Sequence, residues 1–75
     1  MPTTTGRIVV VQEGRFRLIT DRGQARLFLL AADAPLEPED LPPLQHRQAQ
    51  VRVTYDDAPG LRAGLARQID CLGTC

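Results

Sequence analysis

Few side chains in this 75-residue chain are of types that perform covalent chemistry, and their spacing keeps most of them apart. Cys71 and Cys75 stand at its end as Cys71-Leu72-Gly73-Thr74-Cys75. That C-x3-C spacing is not the C-x2-C of zinc ribbons or thioredoxin-like motifs. Two thiolates without a nearby imidazole leave a metal set incomplete, and His46 is the one histidine. The plainer account makes Cys71 a structural residue of the last strand and Cys75 a free thiol in a frayed tail. A thiol or metal role for Cys71 and Cys75 is the alternative, and it needs a second chain to complete the ligands. His46 would suit a general base, but the chain has no serine, and spacing sets neither a cysteine nor a carboxylate beside it. Asp33, Glu37, Glu39 and Asp40 lack the spacing of a calcium loop, and no Gly-rich phosphate loop is present. Catalysis by this chain alone is not expected, nor is a cofactor or a bound metal.

Recognition chemistry is left, and it rests on arginine. All nine basic residues are Arg, and nine acids bring the formal net charge to zero. The charge is unevenly placed. Residues 1–30 hold five arginines against Glu13 and Asp21, a net of +3, and residues 31–60 carry −4. This split permits a local basic face and excludes a large phosphate-binding field. Codon usage in a GC-rich genome is the plainer reason for the missing lysine; the functional one is that Arg suits bidentate and stacking contacts.

The elements that would position these arginines begin with Gly6–Leu30, which reads as a three-stranded meander. Ile8-Val9-Val10-Val11, four β-branched residues in a row, favour a first strand over about Arg7–Gln12. The run is apolar on both faces, as in a curled strand shared between the two halves of a barrel. A Glu13-Gly14 turn pairs Val11 with Phe16 and Val9 with Leu18 inward, and Val10 with Arg17 and Ile8 with Ile19 outward. The second turn allows two registers. A two-residue Arg22-Gly23 loop sets Leu18 against Leu27 and Phe16 against Leu29. A three-residue loop with Gly23 in the bulge position sets Leu18 against Arg26 and Phe16 against Phe28. The second choice points Arg26 at the core, where an unpaired charge is costly, so the two-residue loop is preferred.

Four prolines among residues 35–43 exclude a central strand there, and a short helix is expected from about Pro38 or Asp40 to Arg47. Its Leu41 and Leu44 would face the core. Gln48–Tyr55 then alternates, with Ala49, Val51, Val53 and Tyr55 on one face. A final strand over about Gly64–Leu72 sets Leu65, Ile69 and Cys71 on one face, with Arg67 breaking the apolar side near a barrel rim. Residues 1–5 are expected to be a disordered tail, 6–72 one barrel domain, and 73–75 a frayed end.

Strand, strand, strand, short helix, strand, strand resembles the OB-fold, an all-β, five-stranded Greek-key barrel with a helix between strands three and four. The resemblance is architectural, covers Gly6–Leu72 and includes no family motif. It implies that the outer face of strands two and three is the ligand side. In the preferred register that face carries Arg15, Arg17, Ile19, Arg26, Phe28 and Leu30, with Arg52 extending it. Three readings follow: a solvated Arg-rich face with Phe28 tucked under the helix or a loop, which comes first; a protein partner; and weak single-stranded nucleic-acid binding by Phe28 with Arg15, Arg17, Arg26 and Arg52. The longest early apolar run, Ile8–Val11, is too short for a signal-peptide core or a spanning helix. With no such signal and only two cysteines, a bacterial-type cytoplasm without membrane contact is the default expectation, and a monomer is expected as well.

Overall fold

A computed structural model describes residues 2–57 and 63–72. Strands β1 (Thr3–Gln12), β2 (Arg15–Thr20) and β3 (Ala25–Leu30) form the meander, and β4 (Gln50–Asp57) and β5 (Gly64–Cys71) follow. Between β3 and β4 a 3₁₀ turn at Pro38–Asp40 runs into helix α1 (Leu41–His46). The strands close in the order β1-β2-β3-β5-β4, with β4 pairing back onto β1. Every pairing is antiparallel except β3 with β5. The chain is thus an all-β closed barrel with one short helix, consistent with an OB-like architecture. Its core is Ile8, Phe16, Leu18, Phe28, Leu41, Ala49, Val51, Val53, Tyr55, Ala66 and Ile69.

β1 is shared between both halves of the barrel: Thr3–Arg7 pair with β4, and Gly6–Gln12 pair with β2. It also begins earlier than the sequence suggests. Thr3, Thr4 and Thr5 lie opposite Thr54, Val53 and Arg52, so they belong to the sheet and not to a disordered tail. Gly6 marks the change of partner, and a Cβ there would run into the Ile19 carbonyl. A bulge at Val9 then resets the alternation. Ile8, not Val9, faces Leu18 across the core, and Val9 and Val10 both point to solvent. One extra residue bends the strand and supplies the curl that the four β-branched residues pointed to.

The second turn takes the register that charge burial argued against. Leu18 faces Arg26 and Phe16 faces Phe28, around a three-residue loop with Gly23 at φ 84°. Gly23 N–H donates to the Thr20 carbonyl and Thr20 N–H to the Gln24 carbonyl, each at 2.8 Å. This is the turn-plus-bulge hairpin in which a left-handed Gly is at home. The expected penalty on Arg26 does not arise because β3 begins at the mouth of the barrel. There Arg26 is only half-buried, with its guanidinium over the Tyr55 and Phe28 rings. Phe28 gains in return. It is 0% exposed, stacked on Phe16 at 5.5 Å and edge-on to Tyr55 at 5.2 Å. Burying such a ring stabilises by about 1.5–3 kcal/mol.

α1 closes the other end. Leu41 is fully buried, and Leu36 and Leu44 pack against the core. Asp40 accepts a 2.9 Å bond from Glu37 N–H ahead of the helix, and the Gln45 side-chain amide donates to the Val9 carbonyl at the bulge. The helix ends in a Schellman arrangement: Ala49 N–H donates to Leu44 O and Gln48 N–H to Gln45 O. Gln48 holds the left-handed position at φ 52°, where Gly is usual.

Ala49, Val51, Val53 and Tyr55 are all buried, as their alternation predicts. In β5 a second bulge falls at Arg67, so Gly64 and Ala66 point inward before it and Ile69 after it. Leu65 is accordingly not the inward residue expected. Arg67 is freed to bridge Asp56 at 2.9 Å and Asp33 at 2.8 Å. Its bond to Asp56, followed by the charge of Asp33, raises its pKa above the ordinary arginine value.

Candidate functional site

The outer surface of β1, β2 and β3 forms a grid of cross-strand rows. Gln12, Arg15 and Leu29 make one, Val10, Arg17 and Leu27 the next, and Arg7, Ile19 and Ala25 the third. Arg15 and Arg17 project from the central strand because Phe16 and Leu18 take the inward positions of a two-residue period. Flanking them, Val10 is 41% and Leu27 39% exposed, with Val9 beside them at 39%. A cleft of about 350 Å³ runs between Val10, Gln12, Arg15, Arg17 and Leu27, with Phe16 at its floor. Among the described residues only Arg67 of the arginines forms a salt bridge, so Arg15 and Arg17 face solvent without a carboxylate partner. An apolar patch crossed by two unspent guanidinium groups suits a surface that is itself apolar and acidic.

The expected site residues separate. Arg15 and Arg17 stand on the outer face as expected. Phe28 and Arg26 do not: the first is sealed in the core and the second caps the barrel mouth, both through the three-residue loop. Arg52 points outward, but its cross-strand neighbours are Asp70 and Thr5, on the far side of β1 from Arg17. Leu30, also expected outward, packs against the core. Leu27 and Leu29, expected inward, take the outer places instead. Phe16, Phe28 and Tyr55 are the chain's only aromatic residues, and all three are buried. The outer face therefore has no ring on which a base could stack.

Elsewhere the chemistry is sparse. His46 borders a broad depression with Pro42, Pro43, Gln45 and Arg47, none of them a carboxylate or a nucleophile. Among the described residues no three of His, Cys, Asp and Glu stand together as a metal set. Cys71 is disulfide-bonded, which fits a structural residue of the last strand and leaves no free thiol at that position. Cys75 lies outside the described residues. No helix among the described residues is long and apolar enough to cross a membrane. No family model matches the chain, and comparison with curated proteins and with solved structures likewise finds no match.

Proposed function

We propose that the chain is a non-catalytic OB-type binding module. In this reading it is a monomer that takes an extended, acidic and apolar segment of a partner protein on the outer face of β1–β3. The observation that carries it is the row Val10, Arg17, Leu27, in which one unpaired guanidinium stands between two exposed aliphatic side chains. Carboxylates of the segment would meet Arg15 and Arg17, and its apolar side chains the Val10–Leu27 cleft. A weak single-stranded nucleic-acid binder is the second reading. Arg15 and Arg17 favour it, whereas burial of Phe28 removes its stacking platform.

Titration of 15N-labelled protein with two probes separates them: a short peptide alternating leucine with aspartate, and a short single-stranded oligonucleotide. The proposal expects the peptide to shift Arg15, Arg17 and Leu27 amides, more weakly as salt rises, and Leu27→Asp to abolish the shifts. Shifts from the oligonucleotide alone would support the second reading, and none from either probe would leave a solvated face. The reading also places the chain in the cytoplasm, and the disulfide at Cys71 weighs against that. Trapping the thiols of intact cells with an alkylating reagent decides it: alkylated Cys71 supports the cytoplasm, and protected Cys71 opposes it.

A further inference from the structure

The mouth of the barrel opposite α1 is lined by polar side chains from four strands. Thr4 lies two residues before the inward Gly6 of β1, and Thr20 two after the inward Leu18 of β2. Arg26 lies two before the buried Phe28 of β3, and Tyr55 two after the buried Val53 of β4. By the period of a strand, all four point toward the barrel axis at one end, above an otherwise apolar core.

Arg26 is fixed there. Its guanidinium carbon lies 4.7 Å from the centre of the Tyr55 ring and 5.3 Å from that of Phe28. Its Nη1 donates a 2.8 Å bond to the Tyr55 hydroxyl. That uses one of five N–H donors. Among the described residues Arg26 makes no other hydrogen bond and no ion pair. A cleft of about 350 Å³ opens beside it, lined also by Thr4, Thr5, Thr20 and Arg22. Thr20 Oγ1 accepts from Gln24 N–H at 3.1 Å, which leaves its own hydroxyl proton to donate. Asp21 also borders the cleft, but both its carboxylate oxygens accept from the Gln50 side-chain amide at 3.2 Å. Two arginines against this one carboxylate leave the cleft net positive. A guanidinium locked by stacking, with donors unspent and hydroxyls around it, is pre-organised for an oxyanion.

We propose that this mouth binds a phosphate-class oxyanion, either inorganic phosphate or the phosphate of a small monoester. Arg26 supplies the charge, and Thr4 and Thr20 supply hydroxyl donors. The test follows backbone amides and the Arg26 Nε–H in 15N spectra. The protein is titrated with inorganic phosphate, methyl phosphate, acetate and, at matched ionic strength, chloride. Saturable shifts at Thr4, Thr20 and Arg26 with either phosphate, absent with chloride, are expected; the tighter of the two phosphates identifies the source. Arg26→Met keeps a long unbranched side chain without the guanidinium and should lose the shifts with an unchanged circular dichroism spectrum. Thr20→Val should weaken binding about tenfold, as loss of one hydrogen bond to a charged group does. Should Arg26→Met unfold, Arg26→Lys is read instead, and it too should bind more weakly. Equal responses to phosphate and chloride, or phosphate shifts that survive loss of the guanidinium, would overturn the proposal. So would shifts centred on Arg15 and Arg17, or acetate binding more tightly than both phosphates.

Discussion

The Arg26 guanidinium both stacks on the Tyr55 ring, at 4.7 Å, and donates to the hydroxyl of the same residue at 2.8 Å. Tyr55 therefore meets the arginine twice at the mouth of an apolar barrel, its ring facing the charge and its hydroxyl taking one of the five donors. Tyr55→Phe keeps the ring and removes the acceptor, and should destabilise by about 1 kcal/mol in urea unfolding. Tyr55→Leu also removes the cation–π contact and the edge contact with Phe28, and should cost about 2–4 kcal/mol. Equal losses in the two variants would mean that the stacking contributes nothing.

Gln48 occupies the left-handed place of the Schellman motif that ends α1, and Glu13 has φ 54° in the first turn. A side chain in this region costs roughly 1–2 kcal/mol that glycine avoids, part of which returns as backbone entropy. Gln48→Gly should raise stability by about 0.5–1 kcal/mol, read as a higher urea midpoint at unchanged slope.

Gly64 is required by packing. A Cβ there would come within 2.9 Å of the Phe28 ring and 3.2 Å of the Tyr55 ring. Gly64→Ala should destabilise by about 1–3 kcal/mol, through overpacking. Gly14 is the control. It meets nothing within 4 Å, and Gly14→Ala should leave the melting temperature nearly unchanged.

Arg67 joins Asp56 and Asp33, so the segment after β3 is tied to β4 through the bulge of β5. Its pKa is raised above the ordinary value. A raised folded-state pKa gives stability that is complete below the unfolded-state value and fades only as pH climbs through the folded one. For an arginine that window lies beyond the neutral range. Arg67→Gln should therefore lower the stability level without changing its pH slope between pH 6 and pH 9, followed by urea unfolding at several pH values. It should also speed amide exchange at Ala34.

Much of this barrel is legible in the residues themselves. Val51, Val53 and Tyr55 alternate, the prolines mark the helical connection, and Glu13-Gly14 closes a two-residue turn. What escapes is what pairwise burial cannot express. Both bulges, at Val9 and Arg67, move a strand's inner face by one residue, and neither has a glycine to mark it. Phe28 and Arg26 escape for another reason. A charge next to the core argues against a register only where the strand runs deep, and Arg26 stands where β3 meets solvent. Of the expected site, Arg15 and Arg17 need only the first hairpin and keep their places. Leu27 replaces Phe28 as the apolar neighbour of Arg17, so the face changes from a stacking surface to an aliphatic one.

Both the aliphatic outer face and the arginine at the barrel mouth depend on how β2 pairs with β3. Cross-strand nuclear Overhauser contacts in uniformly labelled protein test that pairing most directly. Contacts joining Phe16 to Phe28 and Leu18 to Arg26 are predicted, with Leu27 contacting Arg17 on the outside. Contacts joining Leu18 to Leu27 and Phe16 to Leu29 would contradict the account and return Phe28 to the surface.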